Sequence, residues 1–117
     1  MVEEQKRKKR VYVAGPYSKG VRAENTGHAI EVGDIISYHG MIPFIPHLSH
    51  FWDLQCPHPY EFWIDQDNEW LKVCDAVYRF SGDSVGADRE VKLAESLSIP
   101  VFYSLTELVW WSKNGRA

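Results

Sequence analysis

The spacing of apolar residues changes several times along the chain, and each change predicts a different element. Residues 11–14 are continuously apolar and end at Gly15-Pro16, as expected of a buried strand closed by a turn. Between residues 20 and 38, Ala29, Val32, Gly33 and Ile36 recur at helical spacing, and Gly40 follows as a stop signal. Residues 41–45 predict a second strand, which Pro43 and Pro46 confine to a sheet edge or end. A loop rich in Pro, His and aromatic residues is expected over 47–58. Pro59 then suits a first helical turn, and a helix is predicted over 60–73. After it come a strand at 76–80, a turn at 81–86, a helix at 87–97, a strand at 99–103 and a short helix at 106–111.

Strands alternating with helices predict an α/β single domain. The expected architecture is a Rossmann/flavodoxin-like parallel sheet of four to five strands with helices on both faces. Right-handed crossovers order the strands 2-1-3-4. Ligands on such sheets bind beyond the carboxyl ends of the strands where the order reverses, here between the first and third strands. The loops at that point are 15–20 and 81–86.

Two acidic residues interrupt the helical stripes. Ala87, Val91, Ala94 and Leu97 form one stripe, and Glu90 belongs to it; Trp63, Ile64, Trp70, Leu71 and Cys74 form another, with Asp67 in its middle. An unpaired buried carboxylate is costly, so each needs a partner or a task. Glu90 could complement the helix dipole, and Asp67 could pair with Arg22 or Arg79. The chemical alternative joins them. Glu90, read as lying in the first helical turn, would be held ionised by the dipole, and Asp67 between tryptophans would have its pKa raised by desolvation. A charged and a protonated carboxyl suit the nucleophile and general acid of glycosidic cleavage.

The turn before Glu90 carries Gly82, Ser84 and Gly86, which allow an anion to approach backbone N–H groups at the helix start. The first loop, from Gly15, offers Ser18 and Arg22 across the crevice, which would make that anion a phosphate. His47, His50, Cys56 and His58 raise the alternative of zinc, but their spacing matches no strong template. We therefore read no metal and no cofactor, and assign that loop, with His47, to the lining of the substrate pocket.

Composition narrows the setting. The 117 residues suffice for one domain, and 44% hydrophobic with 25% charged residues excludes disordered and fibrous classes. Net charge is -3, yet Lys6 to Arg10 is a basic run, so residues 1–9 read as a charged tail and 10–117 as the domain. No further basic, aromatic-interleaved patch follows, and no nucleic-acid polymer is expected as partner. Cys56 and Cys74 form no C-x-x-C pair, which points to a reducing compartment. No apolar run reaches membrane-spanning length, so the expectation is a cytoplasmic protein without a membrane partner.

In this order, "VYVAG", "DQDNEWLKVCDAV" and "SVGADRE" resemble the nucleoside 2-deoxyribosyltransferase superfamily, including its 2'-deoxynucleoside 5'-monophosphate N-hydrolases, over about residues 10–103. The resemblance implies that Glu90 attacks C1' to give a glycosyl-enzyme, that Asp67 assists the departing base, and that Tyr12 positions the nucleophile. The S-x-G-x-x-x-E spacing of Ser84, Gly86 and Glu90 resembles the phosphate-binding form of the hydrolases. Asp88 and Val91 depart from it, since the family often has a small residue and a glycine there. The implied ligand is a deoxynucleotide or deoxynucleoside, cleaved by water or exchanged with another base. A nucleotide-sensing module without turnover is the non-enzymatic alternative. The resemblance also implies a homo-oligomer, a dimer or higher; Trp110 and Trp111, near the C-terminus, are themselves expected to cover the sheet or pack across a dimer contact.

Overall fold

The structure, a computed structural model, describes residues 7–115. Its central strand, β1 (Arg10–Ala14), is buried from Val11 onward because it has a parallel neighbour on each side. Those neighbours are β2 (Ile42–Phe44) and β3 (Ala76–Arg79); β4 (Val101–Phe102) pairs with β3, giving the order β2-β1-β3-β4. This is the strand order expected from right-handed crossovers, and the proline-bearing β2 lies at an edge.

The alternation of side chains across the sheet builds two cores. Val11, Val13, Ala76 and Tyr78 face α1 (Arg22–Tyr38) and α5 (Leu105–Asn114), where they meet Ala29, Val32, Ile36, Leu108 and Trp111. Tyr12, Ala14 and Val77 face α3 (Tyr60–Leu71) and α4 (Val85–Ser96), where they meet Leu71, Ala87 and Ala94. The parity of β1 therefore decides that Tyr12 points toward the helices that carry Asp67 and Glu90. Each core position removes apolar area from water at roughly 25 cal/mol per Å².

Several expectations need correction. The presumed loop at 47–58 is mostly helical: a 3-10 turn (Pro46–Leu48) leads into α2 (Ser49–Gln55). Its prolines, Pro46 and Pro57, lie at or beyond the ends of this segment and leave its middle free to coil. The helix expected from residue 87 begins at Val85, since the Ser84 hydroxyl accepts the Ala87 N–H at 3.0 Å and caps it. Trp70 does not join the buried stripe; it is half exposed and stacks on Phe44 at 5.3 Å. Leu97 is exposed as well. Of the C-terminal tryptophans, Trp111 packs into the core beside Phe102 while Trp110 is exposed.

Part of the basic segment is docked. Arg7 donates to both carboxylate oxygens of Asp75 at 2.7 and 2.8 Å, and Lys9 lies 5.2 Å from the Trp111 ring centre. Residues 1–6 of the expected tail, Lys6 among them, lie outside the described residues. No described helix is long and apolar enough to cross a membrane. Cys56 and Cys74 are both free thiols.

The end of β1 depends on close approach. A Cβ added at Gly15 would sit 2.1 Å from the Phe80 ring, which is itself buried in the core. Gly15→Ala is expected to destabilise the fold by about 1–3 kcal/mol through overpacking. A thermal melt checks this, and an unchanged Tm would contradict it.

Candidate active site

A cavity of about 580 Å³ opens beyond the carboxyl ends of β1 and β3, where the strand order reverses. Gly15, Ser18 and Arg22 reach it from the β1–α1 connection, and His47 from the 3-10 turn. Asp67 enters from α3, with Ser84, Gly86 and Glu90 from the cap and early turns of α4. Of the residues singled out in the sequence, Tyr12 is absent from the lining, as are Gly82 of the turn before α4 and His50 and Cys56 of the segment expected to line the pocket. Tyr12 is fully buried behind the wall, and its hydroxyl donates a hydrogen bond to Glu90 Oε2.

The two carboxyl groups share one electrostatic environment. Burial pushes Asp67 up to about 7. Burial, reinforced by the nearby Asp67 and opposed by the Tyr12 hydrogen bond and Arg79, pushes Glu90 up to about 8. The Asp67 direction is the one expected from sequence. The Glu90 direction is the reverse, and the early start of α4 explains part of it: Glu90 lies in the second turn, where the dipole has faded, and desolvation dominates. The Tyr12 hydroxyl is pushed well above the usual tyrosine range, mainly by burial and by the Glu90 charge, so it stays a donor.

Neither arginine neutralises Asp67. Arg79 donates to the carbonyls of Phe80 and Gly82 and, at 3.3 Å, to Asp88. Arg22 lies 5.5 Å from the centre of the Tyr17 ring. Among the described residues no ion pair is made by Asp67 or Glu90. Asp88, which departs from the pattern noted above, thus has its charge faced by a buried guanidinium.

The first turn of α4 offers N–H groups that a helix leaves without internal partners. Ser84 accepts the Ala87 N–H and retains its own O–H as a donor. Lys19 and Asp83 join the wall nearby and approach each other to 3.4 Å. His47 plays a more structural part than expected. Its Nε2 lies 2.9 Å from the Pro16 carbonyl and 3.2 Å from that of Gly15, so Nε2–H donates and Nδ1 carries the lone pair. Burial lowers its pKa and favours that neutral form.

Sequence reasoning missed Tyr17, Asp53, Tyr60 and the cavity position of Trp63. Trp63 was visible only as an apolar stripe residue. Asp53 accepts hydrogen bonds from the backbone N–H of His58 and from Trp63 Nε1, both at 3.0 Å. Its segment read as loop, so no periodicity announced it. The remaining zinc candidates are dispersed: His50 Nδ1 meets the Tyr17 hydroxyl at 3.1 Å, and His58 stacks on Phe62. Among the described residues no three His, Cys, Asp or Glu side chains cluster to hold a metal.

A family described as a domain of unknown function, DUF7768, matches residues 9–104. The chain belongs to the DUF7768 family. No curated protein matches its sequence. Among solved structures, this DUF7768 chain is similar to a 2-deoxyribosyltransferase from the psychrotolerant bacterium Bacillus psychrosaccharolyticus, with a TM-score of 0.59 and 22% identity. The match covers 79% of the DUF7768 chain and 69% of the transferase, and it supports the α/β fold.

The raised carboxyl pKa has a stability consequence for this DUF7768 domain. Glu90 ionises near 4.5 when unperturbed and near 8 in the fold, so between those values the native state binds more protons than the unfolded chain. Stability must fall as pH rises through that window. Glu90→Gln removes this contribution. At pH 9 the variant is expected to melt at least about 4 °C above the wild type, the shift for roughly 1 kcal/mol in a domain of this size. At pH 4 it should have no such advantage. A wild type that melts as high as the variant at pH 9 would contradict the burial of this charge.

Proposed function

We propose that this chain is an N-glycosidase that cleaves the bond between base and sugar in 2'-deoxynucleoside 5'-monophosphates. The supporting observation is that Glu90 and Asp67, carried by separate helices, line one cavity while Tyr12 donates to Glu90 from behind. That hydrogen bond favours the ionised form of Glu90, and Asp67 has no such donor among the described residues. With Glu90 at about 8 and Asp67 at about 7, the last proton of the resting pair sits on Glu90, and the reactive form is the one in which it has moved to Asp67, a shift that the Tyr12 hydrogen bond eases.

Ionised Glu90 then attacks C1' of the deoxyribose while Asp67 gives its proton to the departing base nitrogen. The product is a glycosyl ester on Glu90, with Asp67 now a carboxylate. Water entering after the base loses a proton to Asp67, breaks the ester and restores both groups. Ser84, Gly86 and the free N–H groups of α4 hold the 5'-phosphate, with Ser18 and Arg22 facing it. Asp83 beside Ser84 favours a second reading, an unphosphorylated substrate, in which a free base replaces water and the outcome is base exchange.

Chromatography of deoxynucleosides and their monophosphates after incubation tests both readings. Wild type should release free base, Glu90→Ala should lose at least about a thousandfold in rate, and Asp67→Asn about 10²–10⁴-fold. Equal base release by wild type and Glu90→Ala would remove Glu90 from its role. Intact nucleotide bound for hours by the wild type would support a sensor instead.

Tyr12→Phe tests the orienting group. A hydrogen bond to a charged acceptor contributes about 1.5–3 kcal/mol, and one pKa unit corresponds to about 1.4 kcal/mol. Without the donor, Glu90 needs a higher pH to ionise, so the acid limb of kcat/KM should move upward by about one to two pH units. An unmoved limb would show that Tyr12 only fills space.

A further inference from the structure

The α2–α3 wall of the cavity contains a carboxylate that the reaction above does not use. Asp53 lines the cavity with Trp63, and Trp63 precedes Asp67 by one turn of α3. Both hydrogen bonds to Asp53, from His58 N and Trp63 Nε1, fall on Oδ1. Oδ2 has no hydrogen-bond partner among the described residues. The carboxylate is thus fixed through one oxygen and free to accept through the other. The His58 N–H and the Trp63 indole also hold it below the ordinary carboxylate range, with Arg22 contributing.

Resting on the reading of Asp67 as the acid at the departing base, we infer that Asp53 Oδ2 selects that base by accepting from an exocyclic amino group on its far edge. Asp67, Trp63 and Asp53 line one cavity, with Trp63 one turn from Asp67 and hydrogen-bonded to Asp53, so a base held by Asp67 and lying on Trp63 would meet Asp53 at its far edge. Trp63 offers a flat apolar surface and Asp53 an acceptor in a fixed orientation. Cytosine and adenine carry an amino group at that edge. Uracil and hypoxanthine carry a carbonyl oxygen in the same place, which a carboxylate repels. The site is therefore selective for 2'-deoxycytidine and 2'-deoxyadenosine nucleotides over their oxo counterparts. A site built to bond a polar substituent discriminates strongly, because the wrong partner leaves a polar group unmet.

The test uses pairs that differ at this edge: 2'-deoxycytidine against 2'-deoxyuridine monophosphate, and 2'-deoxyadenosine against 2'-deoxyinosine monophosphate. Wild type should favour the amino member of each pair by at least about tenfold in kcat/KM. Asp53→Asn keeps an amide oxygen for His58 and Trp63 and puts an amino donor in place of Oδ2, so the preference should vanish or reverse. Calorimetric binding of free cytosine and free uracil to the wild type reads the same selectivity without cleavage and without a variant that must fold. Equal treatment of both members by the wild type, or loss by Asp53→Asn of the same factor for both, would overturn the inference. Base release without preference rejects the role of Asp53 alone. Preferential binding of cytosine with no release from any nucleotide rejects the glycosidase reading and keeps Asp53. Neither binding nor release rejects both.

Discussion

Desolvation of two carboxyl groups at the open end of the sheet is the constraint around which this domain is organised. Burial raises both Asp67 and Glu90 toward neutrality, Glu90 the further, and the hydrogen bond from Tyr12 opposes that shift at Glu90. That bond rests on two registers. Strand parity sends Tyr12 to the α3–α4 side of the sheet, and a slip of one residue would turn it away. The α4 stripe, anchored by Ala87 and Ala94, turns Glu90 toward the same layer. A parallel sheet buried on both faces supplies the rigid base such an arrangement needs.

Around that pair, polar side chains hold the loops rather than project freely. His47 donates to the carbonyls of Gly15 and Pro16, and Asn25 Nδ2 donates to those of Tyr17 and Lys19 at 2.9 and 2.7 Å. Buried or half-buried carbonyls at a strand end would otherwise lack partners. The β1–α1 connection is thereby fixed opposite the first turn of α4, and Asp53 does the same for the α2–α3 turn through His58 and Trp63. The cost of isolating Glu90 from water is the counterpart of its placement, since a carboxyl ready to ionise in an apolar wall reduces stability at high pH.

Much of this was legible in the sequence, for identifiable reasons. The strand order followed from alternating strands and helices with right-handed crossovers, and Glu90 and Asp67 stood out because they broke otherwise apolar stripes. The failures were local. Two residues of difference in the start of α4, decided by the Ser84 cap, moved Glu90 out of the first turn, and burial, which no spacing rule measures, set the direction of its pKa. The segment holding α2 has the Pro, His and aromatic content of a loop, so its helix and Asp53 were both hidden. The contacts of Asp53 with His58 and Trp63 depend on how the chain turns between α2 and α3, which no spacing rule specifies.

The central physical claim, that the fold withholds water from a pair of carboxyl groups in one cavity, is open to direct observation. Carbon-13 NMR of the side-chain carboxyl carbons across a pH titration, assigned with Glu90→Gln and Asp67→Asn, reads their ionisation one by one. The account predicts midpoints near 8 for Glu90 and near 7 for Asp67. Midpoints near 4 for both, the ordinary range of exposed carboxyl groups, would contradict it.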